Sequence, residues 1–170
     1  MSIANAIIAA ISEKEDSKVM KMREKLRASK LLSKKDFKEL TEILQTKAIE
    51  MLSVSDLTMN DYHLIGKGLM ASKISNLQDT VDFIIHQNDK RTASLLFCIL
   101  NKGSKFNTKN LERYLEKMVQ GETHLIHLKI LTVISKNYPH LLSQEIFNFC
   151  EHNDHPICKE LLKKHKIECE

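Results

Sequence analysis

Cys150-Glu-His152-Asn-Asp-His155-Pro-Ile-Cys158 is the densest run of metal-ligand side chains in the chain. Two thiols and two imidazoles could fill a tetrahedral zinc site, but the spacing C-x-H-x₂-H-x₂-C differs from that of zinc fingers. Cys150 falls at an inward position of a helical pattern and His155, just before Pro156, at a helix cap. The run therefore reads as core and turn residues, with no metal expected. His124 and His127 lie three apart and would share one helix face. A metal or acid–base pair needs a third group, and no HExxH-type glutamate accompanies them, so they read as satisfied or surface histidines. Gly66-Lys67-Gly68 lacks the strand, the spacing and the Ser/Thr of a phosphate loop and reads as packing glycines. No Ser/His/Asp or Cys/His order stands out. The expectation is a chain with no catalytic residues and no cofactor.

The strongest surface signal is charge. Between Lys18 and Glu39 nine Lys or Arg face three acids, a net of +6 in a chain of +4, so the remainder carries −2. The candidate binding face comprises Lys18, Lys21, Arg23, Lys25, Arg27, Lys30, Lys34 and Lys35. Such a face suits a nucleic-acid backbone, anionic lipid or an acidic protein surface. The competing reading is a solvated helix face whose long stems cover apolar surface. Side chains suited to stacking on bases are scarce there, which disfavours sequence-specific single-strand recognition.

These residues must be positioned by helices. Four Gly and two Pro in 170 residues leave too few turn residues for a β-fold, while Leu, Ile, Lys and Glu are abundant. The length allows about 70% of the unfolded surface to be buried without disulfide or metal. The four Cys (98, 150, 158, 169) have no framework spacing, and the apolar run over 3–11 has no basic residues before it and half a membrane span's length. Reduced thiols, no transmembrane segment and a cytoplasmic location are expected.

In chain order, a short apolar helix over 3–12 precedes a basic helix over 17–32, whose stripe is Val19, Met22 and Leu26. Ser33 and Asp36 form a capping pair for a helix over 34–53. Thr58 or Asn60 caps a helix to about Lys73, and Ser75 or Asn76 the helix carrying Leu77, Val81, Ile84 and Ile85. Asp89 caps a helix over 90–102, stopped by Gly103. Helices follow over 109–119, 122–136, 140–151 and from Pro156 to about Lys166. The helices over 90–102 and 122–136 are apolar on nearly all sides and should be buried.

The second half repeats. Phe83-Ile-Ile-His-Gln-Asn-Asp89 is answered by Phe149-Cys-Glu-His-Asn-Asp154. At an offset of 34, Leu96, Ile99 and Leu100 meet Ile130, Val133 and Ile134; at 32, Tyr114, Leu115 and Met118 meet Ile146, Phe147 and Cys150. That period is one helix-turn-helix unit. On the stretch Phe83 to Leu100, an aromatic, a short polar turn with Asp89 and then a Leu-rich helix, the chain resembles the HEAT/armadillo class of α-solenoids. It departs from the HEAT pattern in lacking a hydrophobic residue plus Arg after Asp89. The resemblance covers about residues 58–166 and implies a binding surface, not a chemistry.

The expected fold is all-α: stacked antiparallel helical hairpins forming a short solenoid or solenoid-like bundle in one domain over 1–170. Residues 1–57 form its basic helices and 58–170 its repeat-like hairpins. The expected function is a non-enzymatic protein–protein interaction module, an adaptor, regulatory subunit or effector, with a protein partner. The alternative is nucleic-acid backbone binding through 18–38, and a weaker one is an enzyme whose site is assembled from distant residues.

Overall fold

The computed structural model describes residues 16–29, 31–53, 56–87, 89–103 and 107–168. The expected helix over 3–12 and Lys30 lie outside them. Among the described residues there is no strand. They form nine α-helices and one 3-10 turn: α1 (Ser17–Ala28), α2 (Lys34–Leu52), α3 (Met59–Ala71), α4 (Leu77–Gln87), α5 (Lys90–Asn101), α6 (Lys109–Gln120), α7 (Leu125–Asn137), the turn Pro139–Leu141, α8 (Gln144–Glu151) and α9 (Pro156–Glu168). None of these helices is long and apolar enough to cross a membrane.

Short polar side chains set the helix starts. Ser33 Oγ accepts the Asp36 amide at 3.1 Å. Thr58 Oγ1 accepts the Asp61 amide at 3.3 Å while Asp61 Oδ2 accepts the Thr58 amide at 2.7 Å, a reciprocal box. Asp89 Oδ1 accepts the amides of Arg91 and Thr92, each at 2.7 Å. Each cap satisfies donors that the first helical turn leaves orphaned and contributes about 1 kcal/mol. Gly103, at φ 70°, ends α5 in the left-handed region that glycine tolerates. His155 caps α9, its Nδ1 accepting the Ile157 amide at 3.2 Å.

Two helices begin later than the sequence pattern suggests. α7 starts at Leu125, not Glu122, because the preceding link is held elsewhere: Thr123 Oγ1 donates back to the Met118 carbonyl at 3.2 Å. The expected helix over 140–151 is a 3-10 turn followed by a short α8. The Leu141 and Leu142 amides bond three residues back, to Tyr138 and Pro139, and Ser143 is extended (φ −80°, ψ 164°) as the N-cap of α8.

The chain divides into two compact units, Met1–Phe83 and Ile84–Glu170. In the first, α1, α2 and α3 pack mutually. Val19, Met22 and Leu26 of α1, Leu40, Leu44 and Met51 of α2, and Ile65 and Leu69 of α3 are sealed from solvent. Burying such a side chain contributes about 1.5–3 kcal/mol. Gly68 lets α2 and α3 approach: a Cβ there would stand 2.6 Å from Leu44 Cδ1 and 3.3 Å from Leu40. This glycine has the packing role that its motif suggested.

In the second unit the helices form two rows. α5 packs on α7 and α7 on α9; α6 packs on α8, which also meets α9. Equivalent helices of successive hairpins are thus neighbours, as a repeat period of 32 to 34 residues requires. Leu96, Leu100, Leu128, Leu131 and Ile134 are buried, as the apolar character of their helices predicts. Of the overlaid positions only Val133 is half-buried; the others are all in the core.

Candidate functional site

The basic face divides once side chains are placed. Lys18 and Lys21 on α1 and Lys34 and Lys35 at the start of α2 are exposed. Arg23 is not: it is 7% exposed, and its Nη2 donates to the Glu50 carbonyl of α2. Its position explains this, since Arg23 lies one helical turn after Val19 and beside Met22 on the buried stripe. Lys25 Nζ bridges Asp36 Oδ1 and Glu39 Oε2, both at 2.7 Å. These hydrogen bonds raise its pKa, and Lys25 in turn lowers that of Asp36. Arg27 pairs with Asp56, and Lys47 with Asp16. Three of the eight candidate residues therefore contact their own unit, four face solvent, and Lys30 is outside the described residues.

Of the cysteine–histidine run, the two thiols meet and the two imidazoles are engaged elsewhere. Cys150 and Cys158 are buried. Burial first, and the neighbouring Cys158 second, push the Cys150 thiol up to about 12, so it stays protonated and unreactive. His152 is exposed, with Nδ1 2.7 Å from the Asn148 carbonyl, and His155 is occupied as a cap. Among the described residues no three His, Cys, Asp or Glu gather as a metal site.

The histidine pair has a different geometry from the one its spacing suggested. His124 is the N-cap of α7, outside the helix, and its amide donates to His127 Nδ1 at 3.2 Å. The ring centroids stand 5.6 Å apart. His127 is 8% exposed and meets Tyr114 of α6 edge-on at 6.2 Å. Burial, then the charge of His124, lowers the pKa of His127. Because Nδ1 accepts, the neutral ring carries its proton on Nε2 and offers no free lone pair to a metal. The two rings help line a cavity of about 310 Å³.

A second concavity, about 250 Å³, opens between α6, the 3-10 turn and α8. Glu112, Leu115, Glu116 and Val119 follow the i, i+3, i+4, i+7 rhythm along one face of α6. Opposite them stand His140, Leu141, Glu145 and Ile146. Leu115, Leu141 and Ile146 form a buried floor, and Glu112, Glu116 and Glu145 are exposed. None of these three carboxylates is in an ion pair among the described residues. A like-charge i,i+4 pair such as Glu112–Glu116 is mildly destabilising on an isolated helix, by about 0.2–0.5 kcal/mol; a cation placed between the two would relieve it.

Sequence reasoning overlooked this groove because carboxylates are common in a chain with 22 acids. The repeat gives no signal either: at the offset of 32 that overlays these two helices, Glu112 meets Gln144 and Glu145 meets Arg113.

The fold and these sites define an all-α protein with two compact units and side-chain-lined concavities among the described residues of the second. No protein-family model matches the chain, no curated protein is similar to it, and no solved structure matches its fold.

Proposed function

We propose that the chain is a protein-interaction module without catalytic chemistry of its own, and that the groove between α6 and α8 receives a basic, partly apolar segment of a partner protein. The observation that carries this reading is the groove itself: three exposed, unpaired carboxylates around a floor of Leu115, Leu141 and Ile146. Apolar contact would supply affinity at the centre, and the glutamates would steer and register a Lys/Arg-bearing segment. The stacked rows of the second unit give the groove rigid walls, in keeping with the solenoid-like reading of the repeat.

The test is capture from the native source with the wild-type chain and with a Glu112→Lys, Glu116→Lys, Glu145→Lys variant, both after nuclease treatment. A partner lost only by the variant is then purified and titrated. Supporting the reading requires direct binding that weakens with salt and falls at least tenfold in the variant, with circular dichroism unchanged. Binding unaffected by the triple reversal would sink it.

One observation favours a second reading: Lys18, Lys21, Lys34 and Lys35 are exposed without ion pairs among the described residues. If these four neutralise phosphates, duplex DNA affinity falls with log salt at a slope of about −3 to −4. Reversing the four to Glu would abolish that binding and leave groove binding intact.

A further inference from the structure

The geometry points to a small-oxyanion site in the cavity lined by Tyr114, His127, Lys90 and Lys117, one that takes a ligand bearing a carboxylate or a phosphate. The inference is independent of the groove. Its first support is an orphan. Tyr114 is 2% exposed, and its hydroxyl has no hydrogen-bond partner. Tyr114 lines the cavity, and buried polar groups are paired in all but a few per cent of instances, so its unpaired hydroxyl asks for an acceptor. Burial raises the pKa of this phenol. It therefore stays protonated and keeps its O–H to donate.

The second support is the tautomer of His127. With Nδ1 accepting the His124 amide at 3.2 Å, the neutral ring presents N–H at Nε2, a second donor from a side chain only 8% exposed. The third is charge. Lys90 opens α5 and Lys117 closes α6; both line the cavity and neither is in an ion pair among the described residues. Two carboxylates also line it. Asp89 is committed: its Oδ1 holds the Arg91 and Thr92 amides and the Thr92 hydroxyl. Glu122 is exposed and is left alone against two ammonium groups. The lining thus offers an O–H, an imidazole N–H and two ammonium groups beside two carboxylates, of which Asp89 is already engaged with amide and hydroxyl donors. That set matches the acceptor-only surface of an oxyanion better than any cation or neutral amide. A volume of about 310 Å³ suits a small ligand.

The experiment is an NMR titration of the full, isotope-labelled chain with sodium phosphate and, separately, sodium acetate, at constant ionic strength made up with chloride. The expected result is a saturable shift of the His127 ring and of the Lys90, Tyr114 and Lys117 signals for at least one of the two anions. Tyr114→Phe should weaken that binding about tenfold or more, the usual effect of removing one hydrogen bond to a charged group. It should leave the melting temperature unchanged or raised, because the hydroxyl has nothing to lose in the free protein. Lys90→Gln and Lys117→Gln should each weaken binding with the fold retained. Saturation by phosphate alone assigns a phosphate-bearing ligand, and by acetate alone a carboxylate. Absence of any saturable shift up to about 50 mM, where a millimolar site is filled, overturns the proposal. So does equal affinity in Tyr114→Phe, or a melting temperature lowered by that substitution, which would give the hydroxyl a structural partner.

Discussion

The two units differ in what they do with charge. In the first, basic residues are dense but many are committed: Arg23 to Glu50, Lys25 to Asp36 and Glu39, Arg27 to Asp56 and Lys47 to Asp16. These contacts fasten α1 to the helix and loop beside it. In the second, the ion pairs among the described residues are Lys159–Asp154 and Lys164–Glu160, both on the surface around α9. Glu112, Glu116 and Glu145 stay unpaired beside an apolar floor. Local charge density and availability for a partner are therefore different quantities. The richer segment holds part of its charge within its own unit, and the poorer one leaves its charge exposed.

The comparison can be broken most sharply in the cores, which should be equally sealed. Leu96→Ala in the second unit and Leu44→Ala in the first should each cost about 2–5 kcal/mol by denaturant unfolding. A loss below about 1 kcal/mol in either would show that its unit is loosely packed. Next in size is Arg23→Glu, which places an unpaired carboxylate on a stripe with Val19 and Met22. A loss of about 2–4 kcal/mol is expected, against less than about 0.5 kcal/mol for Lys21→Glu two residues earlier on the exposed side. Equal effects would mean that α1 does not discriminate between structural and free charge.

A smaller effect concerns pH. Burial and His124 lower the pKa of His127 in the folded chain below its ordinary 6.5. The unfolded state then binds the proton more readily, so this stabilisation is complete above pH 6.5 and is lost as pH falls toward the folded value. Protonation would also turn Nδ1 into a donor facing the His124 amide. Asp89, Lys90, Tyr114, Lys117, Glu122 and His124 line the same cavity as His127. A melting temperature measured from pH 7.5 to 5 should fall more for the wild type than for His127→Gln; parallel curves would remove His127 from the account. The smallest effect belongs to the groove: the triple Glu→Lys change should alter stability by less than about 0.5 kcal/mol, since it removes no ion pair.

Local patterns carried most of the architecture. Ser33, Thr58, Asp89 and His155 all cap as their types and positions suggest, because capping is a contact over two or three residues. The helix over 140–151 was misread because Leu141 and Leu142 continue an apolar rhythm that a 3-10 turn also satisfies. The sites were less legible, since they depend on pairs distant in sequence. Nothing near Arg23 announces Glu50, and nothing near Tyr114 says that His127 will lie against it without reaching its hydroxyl. His124 and His127 were found by spacing, but their roles depended on whether the helix began before or after His124, a boundary that Thr123 sets by bonding backwards.

Lys47 leaves helical geometry within α2 (φ −132°, ψ 34°), and near this break the Gln45 carbonyl accepts the amide of Ser75 at 2.8 Å. In an unbroken helix that carbonyl would serve Ile49. The Ser75 amide sits in the turn between α3 and α4, where hydrogen exchange is ordinarily fast. Tied to Gln45, it should exchange with deuterium as slowly as the amides of a helix and open only when the bend in α2 does. A single turn amide thus becomes a clock for the opening of the first unit, readable without any substitution.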